Sequence, residues 1–207
     1  MTETTRGLIV RTRPLTETSL IVHWLTPDQG RLATVAKGAQ RPKSTFRGKL
    51  DLFYLADFSF VRSRKSELHN LREVSLIQPN SFLRKDLEAL QQVSYATVLL
   101  EQTTETETPI PVLYELLLEL LAFLRACSAS AQALFAFELK LLDELGLTPD
   151  LAGTKLLPGT RAVIKGLADS DWNYVSLLKL TPAQEREIRQ FLHGFLIYHL
   201  GRVPKLS

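Results

Sequence analysis

The spacing of apolar residues changes at Pro79, and this change limits what the chain can fold into. Before Pro79, apolar and β-branched residues form short runs separated by turn-forming residues, whereas after it they recur about every 3.6 positions. The first spacing is typical of strands and the second of amphipathic helices. The chain therefore predicts an α+β protein, with a β-rich domain at residues 1–78 and an all-helical domain at residues 79–207.

The first block predicts five strands, at about residues 8–13, 18–26, 31–37, 50–64 and 68–77. Pro27-Asp28-Gln29-Gly30 is a turn that joins the second and third strands into a hairpin, because Pro presets φ and Gly accepts positive φ. Five short strands favour a small closed barrel, since closure removes exposed edges. We expect the five-stranded oligonucleotide-binding (OB) barrel, although strand count alone does not separate it from an SH3-like barrel.

Strand alternation predicts which side chains enter the barrel. In the first strand Leu8, Val10 and Thr12 are expected on one face, and Arg11 and Arg13 on the other face with Ile9. A small barrel needs bulk inside, so four aromatic residues are predicted to be core. They are Trp24, Phe53, Phe58 and Phe60.

Residues 36–50, here called the cationic loop, connect the third and fourth strands. The loop contains three breakers of regular structure (Gly38, Pro42 and Gly48) and no acidic residue. Its five cations are Lys37, Arg41, Lys43, Arg47 and Lys49, and Phe46 is its one aromatic residue. Clustered cations beside a ring suit a nucleic acid, because the cations neutralise phosphates and the ring stacks on a base. The alternatives are a solvated loop without a partner and, for Phe46, an inward position that caps the barrel.

The positive charge is concentrated in the first domain. Residues 1–78 hold 13 Lys or Arg and 7 Asp or Glu, a net charge of +6, whereas residues 79–207 carry a net charge of −3. This asymmetry indicates two modules with different partners. Arg11, Arg13 and Arg31 are expected to add to the cationic loop if the barrel places them on the same face.

The second block predicts four helices. The first covers about residues 82–102, and the second begins at Pro111. The third covers about residues 131–145 and is ended by Gly146. The last has Thr181 as its N-cap and Pro182 at its first position. Residues 147–180 have no clean period and contain several Pro and Gly, so they are predicted to be an irregular excursion.

Several classes of function are disfavoured. The chain has one cysteine, Cys127, too few for a disulfide or a cysteine zinc cage, and its four histidines are scattered. It lacks the motifs of nucleotide loops and hydrolase elbows, so we expect no catalysis, no metal and no cofactor.

The polar start at residues 1–6 and the interrupted apolar run at residues 112–126 predict neither a signal peptide nor a membrane span. We therefore expect a cytoplasmic, nucleoid-associated protein.

Two stretches of the sequence are distinctive: Ala-Lys-Gly-Ala (residues 36–39) with its continuation to Ser44, and Phe-Glu-Leu-Lys-Leu-Leu (residues 137–142). In these stretches the chain resembles the bacterial recombination mediator family RecO. Further similar stretches are residues 7–12, 17–22, 26–32, 145–151, 199–202 and 205–207, so the resemblance spans nearly the whole chain.

This resemblance implies an OB domain that binds single- and double-stranded DNA, and a helical second domain. It also implies strand annealing and, together with the partner RecR, loading of RecA onto strands coated by single-strand-binding protein. Many members have a four-cysteine zinc site in the excursion, but residues 152–166 contain no cysteine. The zinc site is therefore not carried over. The family's tail also often continues past the position of Ser207.

Two sets of site residues are expected. The DNA-binding set is the five loop cations with Phe46, joined by Arg11, Arg13 and Arg31. The helical domain is expected to contact protein, and a basic apolar groove for an acidic tail would use Arg125, Lys140 and Arg161. The alternatives are an RNA-binding OB protein of RNA metabolism, a nuclease or transferase on this scaffold, and a purely structural protein with a basic loop.

Overall fold

The computed structural model describes residues 1–204, so the Lys205–Ser207 part of the resemblance lies outside the described residues. The strands are β1 (Thr2–Pro14), β2 (Leu20–Thr26), β3 (Gly30–Ala36), β4 (Leu55–Val61) and β5 (Leu68–Gln78). A 3₁₀ turn at Ser81–Arg84 precedes the helices. These are α1 (Leu87–Thr103), α2 (Pro111–Ala126), α3 (Ala131–Glu144), α4 (Pro158–Asp169), α5 (Trp172–Leu177) and α6 (Pro182–Leu200).

The chain divides into two compact units. The barrel unit contains residues 1–81 and 104–114, and the helical unit contains residues 82–103 and 115–204. The barrel unit therefore includes an eleven-residue return segment, Thr104–Tyr114, that the predicted boundary at residue 78 assigns to the helical domain. Backbone bonds hold this segment to the barrel: Glu107 N–H donates to the Arg31 carbonyl at 2.9 Å, and Ile110 N–H donates to the Pro27 carbonyl at 3.0 Å.

The five strands form a closed barrel in the order β1-β2-β3-β5-β4. Neighbours are antiparallel except for β3 and β5, which pair in parallel through Ala33–Val35 and Leu68–Asn70. This Greek-key closure is the OB topology, so the predicted OB barrel is confirmed and the SH3-like alternative is excluded.

A β-bulge in β1 decides which of its side chains face outward. The pairing with β2 shifts between Ile9 and Arg11, which leaves Val10 as the extra residue. Before the shift Ile9 pairs with the buried Trp24, and after it Arg11 pairs with His23. The predicted alternation is therefore wrong at Ile9, which belongs to the barrel core while the arginines are exposed.

Stacked aromatic rings fill the barrel, as predicted. Trp24 and Phe58 lie parallel with 3.9 Å between ring centroids, and Phe60 follows at 5.8 Å from Phe58. The indole N–H of Trp24 donates to the Thr34 hydroxyl at 2.8 Å, so its polar atom is satisfied inside the core. Phe53 is also buried.

Local signals set the helix ends in the helical unit. The first helix begins later than predicted, at Leu87, because the Asp86 carboxylate accepts the N–H of Ala89 at 2.9 Å and caps it. Thr181 and Gln184 form a reciprocal capping box before α6, and Gly146 adopts φ 69° after α3. Both of these ends agree with the sequence prediction.

The predicted irregular excursion at residues 147–180 is wrong in part, because it contains α4 and α5. Pro158 occupies the first turn of α4, where its missing N–H costs nothing. Thr160, Ile164 and Leu167 form the buried stripe of this helix. The Pro-Gly pair at its start and Gly166 within it concealed the helical period.

A carboxylate is buried in the helical unit. Glu138 on α3 accepts a hydrogen bond from the Tyr95 hydroxyl of α1 at 2.5 Å. Burial raises the pKa of Glu138 to about 7, although the Tyr95 hydrogen bond and the charge of Arg189 oppose the rise. Within residues 1–204, none of the helices combines the length and the apolar character that crossing a membrane requires.

Candidate nucleic-acid interface

The cationic loop is built from consecutive tight turns. Backbone N–H groups of Arg41, Ser44, Arg47 and Lys49 each donate to the carbonyl three residues earlier, at 3.0–3.2 Å. Gly38 and Gly48 adopt φ of 68° and 72°, a conformation that favours glycine. The loop therefore has a defined path although it is neither helix nor strand.

Two contacts attach this loop to the turn between β1 and β2. Gln40 N–H donates to the Thr18 carbonyl at 3.0 Å, and Gly38 N–H donates to the Ser19 hydroxyl at 3.3 Å. The loop thus lies at the end of the barrel where β1 ends and β2 begins. Its position relative to the barrel is fixed by hydrogen bonds of its backbone.

The side chain of Phe46 attaches the loop to the barrel core. Its side chain is only 8% exposed and belongs to the barrel core together with Trp24, Phe58 and Phe60. Of the two positions that the sequence leaves open for Phe46, the structure shows the inward one and not a ring exposed for stacking, because burying this apolar side chain outweighs leaving it in the polar loop.

The cations of the loop have few partners. Lys37, Arg41 and Lys43 are exposed, and within residues 1–204 none of them forms an ion pair. The Arg47 guanidinium donates to the Pro42 carbonyl at 3.4 Å, and Lys49 is half-buried. The fold therefore gathers five positive charges into one short segment, and in the part of the chain that the structure describes none of the five forms an ion pair.

At the opposite end of the barrel, an arginine is neutralised by two carboxylates. Arg62 lies beyond β4 and contacts Glu3 at 2.9 Å and Glu107 at 2.7 Å. The second oxygen of Glu107 lies 2.8 Å from Nε2 of the buried His69, within hydrogen-bond distance. Arginine and carboxylate are thus matched at this end, whereas the cationic loop has no carboxylate of its own.

Arg11 and Arg13 are exposed on the outer face of β1, where Arg11 pairs directly with His23 of β2 and Arg13 pairs with Ile21. Arg13 donates to Nε2 of His23 at 3.1 Å, which requires that ring nitrogen to be unprotonated. Burial lowers the pKa of His23, and the charges of Arg13 and Arg11 lower it further. The two arginines therefore add positive potential near the loop while His23 stays neutral.

Strand pairing places Arg31 on the same outer face, but at the far end. Arg13 pairs with Ile21 on β2, and Ile21 in turn pairs with Val35 near the end of β3, where the cationic loop begins. Arg31 lies at the start of β3 and pairs with Leu25 near the end of β2. The Arg31 guanidinium donates to the Thr104 carbonyl of the return segment at 2.5 Å. The structure therefore groups Arg13 with the loop and separates Arg31 from it.

Sequence reasoning missed a cavity beside the loop. It has a volume of about 470 Å³ and joins loop residues 39–42 and 46–48 to Leu20 and Leu50. The sequence predicts Leu20 and Leu50 only as strand residues, since nothing in their local pattern indicates that they meet across the loop. The cavity forms because the fold places the start of β2 beside the loop.

The three candidate partner residues of the helical unit make intramolecular contacts. Lys140 donates to the carbonyls of Ala168 and Ser170, at 3.1 and 2.7 Å, and so stabilises the end of α4. Arg161 donates to the Leu156 carbonyl at 3.1 Å, and Arg125 lies over the Phe82 ring. These contacts give Lys140 and Arg161 structural roles that the sequence did not indicate.

The metal site of some family members does not fit this chain. Cys127 is half-buried at the end of α2, and residues 152–166 provide no thiolate. Among residues 1–204, no three His, Cys, Asp or Glu side chains come close enough to hold a metal ion.

The fold and the loop define a class of protein: an OB barrel with a cationic loop, joined to a helical unit. Two family models match the chain, Recombination protein O N terminal at residues 1–80 and Recombination protein O C terminal at residues 84–154. The chain belongs to the RecO family.

Curated relatives extend the match, and each bears the name DNA repair protein RecO. The protein of Exiguobacterium sibiricum is 28% identical over 98% of this chain and 82% of its own length, and that of Anaeromyxobacter sp. is 29% identical over 95% and 91%. The Bacillus pumilus protein is 32% identical over 70% of this chain. That alignment spans 56% of the Bacillus protein, about half of its length.

Proposed function

We propose that this protein is a non-catalytic DNA-binding protein of DNA repair and recombination. It binds single- and double-stranded DNA through the cationic loop, with Arg11 and Arg13 extending the contact along the barrel. The observation that carries the proposal is the cluster of five loop cations without a carboxylate in the loop, on an OB barrel. Family membership and the names of the relatives support the repair role.

Binding of this kind is independent of sequence. Lysine and arginine contacts to phosphates supply affinity and release counterions, and they carry no information about the bases. Lys37, Arg41 and Lys43 are exposed and therefore reach a backbone without breaking an internal ion pair. The barrel holds the loop in place, so little ordering cost accompanies binding.

Strand annealing follows from the same charges. Two complementary strands repel each other through their phosphates, and a cationic surface that screens both backbones lowers this repulsion. Base edges stay free to pair when contacts go mainly to phosphates. We propose that the protein promotes annealing in this way.

The proposed setting is a reaction with protein partners. The helical unit contacts RecR or the acidic tail of single-strand-binding protein, and the complex loads RecA onto coated strands. The net charge of −3 in residues 79–207 favours protein over DNA as the partner of this unit.

A salt titration of single-strand binding tests the DNA contact. The loop variant replaces Lys37, Arg41 and Lys43 with Gln. Its matched control replaces Arg64, Lys65 and Arg72, three exposed cations elsewhere in the barrel unit, with Gln. Both variants have the same formal charge, so a difference between them reports position rather than net charge.

The loop variant is expected to bind more weakly than the wild type. The slope of log K against log salt is expected to become less negative by about 0.7 for each phosphate that the variant no longer neutralises. The control is expected to keep a slope close to that of the wild-type protein. Equal slopes for the loop variant and the wild type contradict the loop assignment. A matched RNA strand that binds more tightly than the DNA strand favours the RNA-binding alternative.

A further inference from the structure

The loop cavity, defined by residues 39–42, 46–48, Leu20 and Leu50, has two kinds of lining. Its apolar surface comes from Leu20 and Leu50, which pack against the barrel core, and from the buried Phe46. Its charged lining comes from the exposed Arg41 and Arg47. The cavity is open to solvent and therefore presents apolar and positively charged surface side by side.

The walls of the loop cavity are held in place before any ligand binds. Phe46 is fixed by the core, and the Gln40 backbone is tied to Thr18. The turn bonds of Arg41 and Arg47 set the path of the charged wall. A preformed cavity avoids much of the entropy cost of ordering a loop on binding.

The chemistry of the lining selects the occupant. A volume of about 470 Å³ lies within the range of small-molecule sites. Leucine and phenylalanine surfaces favour a flat apolar group, and two arginines favour an anion attached to it. No acidic residue lies in residues 36–50. A nucleotide unit, with a planar base and flanking phosphates, has this combination.

We propose that the loop cavity takes one unstacked base of a single strand, while Arg41 and Arg47 contact the phosphates on either side of it. This inference rests on the proposed function and adds a contact to the base that phosphate binding alone does not require. A base inside a duplex is stacked and paired, so it does not enter the cavity without disrupting the helix. The cavity therefore favours single strands over duplexes of equal charge.

The wild-type protein provides the first test. Its affinity is measured for a single strand of thymidines and for a strand of the same length without bases, at the same salt concentration. The two strands have equal phosphate charge. The strand with bases is expected to bind about tenfold more tightly, as one stacked base contributes.

A variant that fills the cavity provides the second test. Ala39 lines the cavity and is partly buried, so Ala39→Trp occupies the space without changing charge. The variant is expected to bind both strands with the affinity that the wild type has for the baseless strand, and with an unchanged salt slope. The control is Ala152→Trp, which adds the same ring at an exposed position of the helical unit.

The outcomes separate the two proposals. Equal wild-type affinity for the two strands overturns the base cavity and leaves phosphate binding by the loop intact. Absence of salt-dependent binding to either strand overturns the proposed function itself. If far-ultraviolet circular dichroism shows that Ala39→Trp does not fold, the comparison of the two strands with wild-type protein decides the question alone.

Discussion

Replacing Glu138 with Gln is expected to change how the stability of the helical unit depends on pH. Burial raises the pKa of this carboxyl from its ordinary value of 4.5 to about 7. The folded protein therefore holds the proton more tightly than the unfolded chain does, and unfolding between these two values releases it. Because the folded state binds more protons, this group's contribution to stability falls as pH rises from 4.5 to 7 and is constant above this window.

The size of the effect follows from the pKa difference. Each pKa unit corresponds to about 1.4 kcal/mol, so the full window from 4.5 to about 7 corresponds to roughly 3 kcal/mol of unfolding free energy. Glu138→Gln cannot titrate and retains an oxygen that accepts from the Tyr95 hydroxyl. The unfolding free energy of the variant minus that of the wild type is expected to rise by about 2–3 kcal/mol between about pH 5 and about pH 8.

The assay is urea unfolding followed by far-ultraviolet circular dichroism, which reports the helices. Subtracting the wild type at each pH removes the contributions of all other groups. Tyr95→Phe is a second variant, which removes a hydrogen bond that stabilises the carboxylate and so raises the pKa of Glu138 further. A free-energy difference between Glu138→Gln and wild type that does not change with pH would refute the reasoning.

Two further predictions concern the barrel unit. Gly30→Ala is expected to destabilise the protein by more than about 1 kcal/mol, because φ is 63° and a Cβ would lie 1.9 Å from a carbonyl oxygen of the return segment. Gly48→Ala, with φ 72° but open space, is expected to lower the thermal midpoint less, and equal effects of the two substitutions would contradict the clash. The pKa of His23, followed by NMR, is expected below 6.5 and to rise when single-stranded DNA binds, because phosphates offset the neighbouring arginine charges. A value that DNA does not change would place the phosphates elsewhere.

Local patterns predicted most of the elements. The Pro27–Gly30 turn, the Thr181 cap and the Gly146 end depend on a few neighbouring residues, so the sequence contains what is needed to infer them. The same reasoning failed where two signals competed locally. Pro158 and Gly159 indicate a break in regular structure, because proline interrupts a helix in its interior. At the first position of a helix, however, proline is favourable, and this is where Pro158 lies.

One part of the candidate site can be predicted from the sequence and another part cannot. The cluster of cations at residues 37–49 is visible in the sequence, because charge needs no partner to be recognised. The inward position of Phe46 and the cavity beside it depend on Leu20 and Leu50, which come together only in the folded barrel. No local pattern reports such contacts.

The sequence by itself determined the order of a β-rich and a helical part, the concentration of positive charge in the first part, and the position of the cationic loop. These properties depend on composition and on periodicity along the chain. The tertiary structure alone decided three others: the bulge at Val10 that separates Ile9 from Arg11, the return of residues 104–114 to the barrel, and the burial of Glu138 beside Tyr95. Each depends on contacts between residues distant in sequence, and their free energy is set by packing and burial.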